Sequence, residues 1–163
     1  MAQFYNPDKK EVITLTELSR RFNASIPEGL EEINGYFKLH QGTYPEHGPY
    51  DSVVIDKIRK KNGKYYQNFK VIPEELESKK ARLKAYVKQY LDETVQEKDY
   101  DSIENACSYA SSTNPTFASE AQKAIKFRDD VWVKVYELLN SETLSEMDDA
   151  EFMSELPTMD WKE

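Results

Sequence analysis

The apolar positions of this chain follow two different rules on either side of residue 73. Before it they come in short runs bounded by turn formers, as strands do; after it they recur every three or four residues, as in helices with one buried face. Phe4-Tyr5 and Val12-Ile13 flank the turn-forming stretch Asn6 to Lys10 and predict a short hairpin. Thr14 and Glu17 have capping-box spacing ahead of Leu15, Leu18 and Phe22, which predicts a two-turn helix ending near Phe22. Asn23 to Gly29 breaks that helix, and Gly35 to His40 predicts the next strand. A Gly- and Pro-bearing loop, Gln41 to Asp51, leads into the clearest strand pattern, Ser52 to Ile72, with Asn62-Gly63 between its two runs. Asn-Gly supplies the two positive φ angles of a type I′ turn. Centring the turn there sets Val54 opposite Val71, Ile58 opposite Gln67 and Arg59 opposite Tyr66. Neither face of this hairpin is cleanly apolar, so its tip is expected in solvent and only its base, near Val53, Val54, Val71 and Ile72, is expected to be buried.

The second half reads as helices. Pro73-Glu74-Glu75 predicts a helix start, with proline at the first position and carboxylates near the positive end of the dipole. Leu76, Lys80, Leu83, Val87, Tyr90, Leu91 and Val95 form a thin stripe reaching about Glu97, which suits a connecting helix or a coiled-coil strand open to another chain. Asp101 is the expected N-cap of a helix from Ile103 to Ala110, and Ser112-Thr113-Asn114-Pro115 sets up a long helix from Phe117 to Leu139. Arg128 falls inside the apolar stripe of that long helix. A guanidinium there needs a carboxylate, and Asp92, Glu93 and Asp101 are the candidates for a buried or half-buried ion pair that docks the helices. Trp132 is expected to lie on the small-residue face of Ile103, Ala106, Cys107 and Ala110. Ser141 to Glu163 is acidic, with Leu144, Met147, Phe152, Met153 and Leu156 at irregular helical spacing. Trp161, after Leu156-Pro157, is either a staple packing back on the helices or an exposed anchor for a partner. The pattern as a whole predicts an α+β fold: a small antiparallel β unit with a prominent hairpin and one short helix over 1–72, a three-helix region over 73–141, and an acidic C-terminal helix and tail over 142–163.

Composition narrows the function. At 163 residues, 39% hydrophobic and 32% charged with mean hydropathy -0.80, the chain is polar for a globular protein, yet 11 Tyr, 7 Phe and 2 Trp supply a small core. The single Cys107 excludes an internal disulfide framework and a cysteine zinc site, and its small-residue helix face suits an inert packed thiol. No stretch approaches the ~20 apolar residues of a membrane span, and the start has no basic region followed by an apolar run, so no membrane partner and a cytoplasmic origin are expected. Neither His40 nor His47 lies near a serine or cysteine pattern, which points away from an enzyme. Asp148, Asp149 and Glu151 lack the glycine turn and twelve-residue loop of a calcium hand, and five scattered glycines make no phosphate loop, so no cofactor is expected. The net charge of -8 is unevenly spread: residues 1–72 hold 11 basic and 9 acidic groups, and residues 73–163 hold 11 and 21. The basic groups include a cluster at the hairpin tip, Lys57, Arg59, Lys60, Lys61 and Lys64, beside Tyr65 and Tyr66. Such a tip suits nucleic acid, but lysines there also keep strands from pairing with other chains, and the overall charge opposes nucleic acid.

Several short stretches stand in a distinctive order: Tyr90-Leu91-Asp92-Glu93-Thr94, Tyr100-Asp101-Ser102-Ile103, Ala106-Cys107-Ser108-Tyr109-Ala110, Phe127-Arg128-Asp129 with Val131-Trp132, and Glu155-Leu156-Pro157 with Trp161. With them the chain resembles small bacteriophage tail proteins of the tail-fibre assembly or tail-fibre-associated type over residues 76–161. Ile26-Pro27, Gly35-Tyr36, Asn62-Gly63-Lys64-Tyr65 and Phe69-Lys70-Val71 resemble their variable front part. The chain departs from that pattern at Phe127, where tryptophan is expected, and at Asp148-Asp149, where a proline-threonine helix start is expected. The resemblance implies a non-enzymatic role through protein–protein contacts, either as a chaperone for fibre proteins in the host cytoplasm during assembly or as a structural part of the virion tail. The implied partner is a tail-fibre or other tail subunit, or a second copy of the chain. Leu83, Val87, Tyr90, Leu156 and Trp161 are the candidate contact residues. The alternative is a small nucleic-acid- or host-factor-binding module using the basic hairpin tip.

Overall fold

A computed structural model describes residues 2–161, and the fold is α+β. The chain divides into two compact units with the boundary between Glu74 and Glu75. In the first, strands β1 (Gln3–Asn6) and β2 (Glu11–Thr14) form the expected hairpin. Its turn is closed by the Asn6 side chain, whose Oδ1 accepts from the backbone N–H groups of Asp8 and Lys9 at 3.0 and 2.9 Å. Thr14 then caps helix α1 (Leu15–Phe22) through the full capping box with Glu17. Strand β3 (Glu32–Ile33) turns at Asn34-Gly35 into β4 (Tyr36–Gln41), with both turn residues at positive φ. This is a second Asn-Gly hairpin with the same chemistry as the one at residues 62 and 63. Strands β5 (Ser52–Lys61) and β6 (Lys64–Ile72) complete a sheet of order β2-β1-β4-β6-β5, with β3 added on β4; the sheet is mixed and not antiparallel throughout as expected, because the chain returns along β5 before β6 runs parallel beside β4. The core of the unit is Phe4, Ile13, Leu18, Ile26 and Tyr36, beneath α1.

The long hairpin departs from its expected register. Arg59 faces Tyr66 and Ile58 faces Gln67, as the turn dictates, but Val54 faces Lys70 and Val53 faces Val71, because the ladder shifts between Ile55 and Ile58. The extra residue in β5 sets Val53 against Val71 and Ile55 against Phe69, like with like on one face, where an unbroken ladder would pair Ile55 with Lys70. The Asn68 side chain steadies the irregularity by donating to the Lys57 carbonyl at 3.1 Å. The hairpin base is not a core: Val53, Val54 and Val71 are half-buried, and Ile55 and Ile72 are 60% and 43% exposed.

The second unit is helical: α2 (Leu76–Gln96), α3 (Ile103–Ser108) continued by a 3₁₀ turn to Ser111, α4 (Pro115–Leu139), and α5 (Asp149–Ser154). Pro73 stands outside α2, because the Asp51 carboxylate accepts the Glu74 N–H at 3.0 Å and holds that stretch extended. Ser102, not Asp101, caps α3. The stripe on α2 is not left open. Leu83, Val87, Leu91 and Val95 are fully buried with Ala124, Phe127, Val131 and Val135 of α4 and Ala106 of α3 in one core. Helices α3 and α4 lie close together, and Ala106 on α3 and Ala121 and Ala124 on α4 are wholly buried.

The acidic C-terminal stretch belongs to this same core and is no separate region. Leu144, Phe152 and Leu156 are buried in it. Cations and a phenol on α2 and α4 strap it down. Lys79 donates to the Met147 carbonyl at 2.6 Å, Arg82 pairs with Asp149, Tyr90 Oη donates to the Pro157 carbonyl at 2.9 Å, and Lys123 donates to the Trp161 carbonyl at 2.9 Å. Asp148 and Glu151 form a reciprocal capping box at the start of α5.

Candidate functional site

The residues expected to meet a partner are placed as follows. Leu83 and Val87 are wholly buried against α4, so the open stripe expected on α2 is filled by the chain's own helix. Tyr90 sits half-buried, its ring edge-on to Phe127 with centroids 5.9 Å apart. Leu156 is in the core, and Trp161 is half-buried against it beneath the Lys98 ammonium. Of the two readings of Trp161, this placement corresponds to the staple. The thin stripe misled because a narrow apolar face is enough when the helix across from it contributes small and β-branched residues that fill the gap closely.

Among the described residues Arg128 makes no interhelical tether. Its guanidinium holds the adjacent Asp129 through Nε and Nη2 at 3.0 and 2.8 Å, and that hydrogen bond raises its pKa. The three candidate carboxylates are otherwise placed. Asp92 accepts the Ile103 N–H at 2.8 Å, capping α3 from α2, and Glu93 accepts from Gln89 on its own helix. Asp101 takes part through its carbonyl, which accepts from Gln96. Trp132 is likewise on the flank, half-buried, with its ring on Tyr136 at 5.8 Å, and Phe127 is the ring that fills the core. The reason is rotational. Phe127, Val131 and Val135 define the centre of the buried stripe, and Arg128 and Trp132 each lie one residue, about 100°, off it. Cys107 is half-buried beside the core, and burial pushes its thiol pKa up, which leaves it a poor nucleophile.

The orientation of α4 exposes residues that the stripe does not flag. Val133 and Tyr136 are 62% and 55% exposed on a 25-residue helix, next to half-buried Trp132. They form an apolar ridge on its outer side. The signal was present in the spacing, since Trp132 and Tyr136 are four residues apart, but it is indistinguishable in sequence from a core stripe.

The five cations of the hairpin tip do not act as one cluster. Lys60 lies over the rings of Tyr65 and Phe37, at 5.4 and 5.8 Å from their centroids. Lys64 pairs with Glu31 at 3.5 Å, Arg59 approaches Asp56 at 3.8 Å, and Lys57 and Lys61 are exposed. Alternation of side chains along β5 turns Lys60 to the face opposite Arg59 and Lys61. Glu31 also meets His40 at 3.2 Å and Lys38 at 3.7 Å; although partial desolvation works against it, Lys64 and His40 keep its carboxyl below the ordinary value. Among the described residues no group of three or more His, Cys, Asp or Glu side chains is placed to hold a metal ion, and no helix is long and apolar enough to cross a membrane. Comparison with protein-family models, with curated proteins and with solved structures finds no match to this chain.

Proposed function

We propose that this chain is a non-enzymatic bacteriophage tail or tail-fibre protein that works through protein–protein contacts, with the outer side of α4 as its contact surface. The observation that carries this reading is the exposed pair Val133 and Tyr136 beside half-buried Trp132, since large apolar side chains standing in solvent on a helix are what an interface core is built from. The ridge lies next to the Phe127 to Trp132 stretch that bears part of the resemblance to small tail proteins. It replaces Leu83, Val87, Tyr90, Leu156 and Trp161 as the contact residues, because those serve the chain's own core. The competing reading, nucleic-acid or host-factor binding by the hairpin tip, is weakened by the dispersal of its cations over two faces and several partners.

The test is capture of co-expressed tail and fibre subunits by the full-length chain and by Val133→Asp and Tyr136→Asp. Capture lost in both variants at an unchanged Tm is the expected result; undiminished capture overturns the assignment of the surface. Mass spectrometry of purified particles then separates a virion component, which is found in them, from an assembly chaperone, which is not.

A further inference from the structure

Beside the hairpin tip the β unit carries a groove of about 600 Å³ that the protein–protein reading leaves unused. Its existence depends on Gly42. The chain leaving β4 turns hard against β6, where the Gly42 N–H donates to the Gln67 carbonyl at 2.8 Å. A Cβ at this position would stand 2.8 Å from that same carbonyl oxygen and 3.1 Å from Asn68 Oδ1. Only glycine allows so close an approach, and it sets Gln41 and Thr43 as one wall of the groove. The opposite wall is the end of β5. Arg59 pairs with Tyr66, and on a pleated strand Lys61 projects to the same side as Arg59, so both cations stand on the face that Tyr66 and Asn68 share. Tyr66 is steadied from β4 by His40, whose ring lies 5.3 Å away and tilted by 34°.

The chemistry of this lining is specific. Gln41, Asn62 and Asn68 are amides and Thr43 is a hydroxyl, groups that both donate and accept, which is what a polyhydroxylated ligand requires. The Tyr66 ring offers a flat apolar surface, and no carboxylate lines the groove while Arg59, Lys60 and Lys61 do. The volume is that of a small-ligand site. A nucleic-acid strand would need cations continuing along its phosphates beyond the groove, and here the next cation, Lys64, is engaged by Glu31. We infer that this groove binds an acidic sugar, a ring bearing hydroxyls together with a carboxylate or a phosphate.

The experiment is titration of the ¹⁵N-labelled full-length chain with trigalacturonate, glucose 6-phosphate, maltotriose, inorganic phosphate and an eight-nucleotide oligothymidylate. Saturable shifts at the amides of 41–43, 59–62, 66 and 68 are expected with trigalacturonate or glucose 6-phosphate, the responding one identifying carboxylate or phosphate as the anion. Binding at least tenfold tighter than to maltotriose and to inorganic phosphate is expected, on the order of 1.4 kcal/mol or more. Lys61→Gln and Arg59→Gln should each weaken it at least fivefold with the rest of the spectrum unmoved. Gly42→Ala should abolish it. The inference is overturned if neither acid gives saturable shifts at these amides, if maltotriose or inorganic phosphate binds as tightly, if the oligothymidylate binds more tightly, or if both glutamine variants bind as the parent does.

Discussion

The two units of this chain solve the problem of a small core in different ways. The β unit gathers a small apolar cluster, Phe4, Ile13, Leu18, Ile26 and Tyr36, and adds polar devices: an Asn6 turn, a Thr14–Glu17 capping box, a Glu31 cluster and an Asp51 carboxylate bridging to Glu74. The helical unit closes one continuous apolar core with residues drawn from α2 through Leu156 and uses its charged groups to strap the last segment in place. The difference shows in titration. Hydrogen bonding from Tyr36 holds Glu11 below the ordinary carboxyl value, Thr14 does so for Glu17, and the Gly48 and Glu74 N–H groups do so for Asp51. In the helical unit burial raises Tyr90 and pushes Tyr100 up to about 12. One unit is therefore tuned by ionised carboxylates and the other by neutral phenols.

The largest effect that sharpens this comparison is loss of a core ring. Phe127→Ala or Phe152→Ala should cost ~3–5 kcal/mol, the range for emptying a buried aromatic site, and Trp132→Ala clearly less because that ring is half-buried. Urea unfolding checks this. A Phe152→Ala variant as stable as the parent would show that the C-terminal segment is not part of the core. Truncation after Pro157 removes Trp161 and its hydrogen bond with Lys123, so it should lower stability by ~1–3 kcal/mol. Capture of a subunit by the truncated chain should persist, because the proposed contact ridge is elsewhere.

pH should split the units. The carboxyls of the β unit have depressed folded values, so their stabilisation is present above the unfolded value and disappears as pH falls through the folded one, below about 4. Tyr100 has a raised folded value, so its contribution is present below about 10 and lost as pH climbs toward about 12. Resolved methyl resonances of Ile13 and Val131, followed across both limits, should lose native dispersion first in acid for the β unit and first in alkali for the helical unit. A shared order at both ends would remove the distinction. The smallest effect belongs to Arg128→Met, expected within ~0.5 kcal/mol because the carboxylate it holds is that of its exposed neighbour Asp129. A loss of several kcal/mol would mean that it does tether the helices.

Local chemistry was enough to place most elements. Asn62-Gly63 fixes a type I′ turn wherever it lies between strands, Thr14 with Glu17 fixes a helix start, and both are found where expected. The change of apolar period near residue 73 marks the division into an α+β fold, and the structure places the boundary between Glu74 and Glu75. The Asn34-Gly35 hairpin was not among the expected elements, because its first strand is only two residues long and too short to show a period. What spacing does not carry is the rotation of each helix about its axis and the identity of what covers it. The same three-and-four pattern leaves Phe127 or Trp132 as the buried ring, and only the packing of α3 and α2 on α4 chooses Phe127. That choice turns Arg128 to the flank and brings Val133 and Tyr136 into solvent. The groove of the β unit was hidden for a related reason: Gln41, Thr43, Arg59, Lys61 and Tyr66 converge only because β4 runs parallel to β6 and Gly42 lets the next residues press against it. A sequence specifies turns and caps through neighbours, whereas helix rotation and strand order are settled by contacts between residues far apart in the chain, where the free energy of filling the core outweighs every local preference.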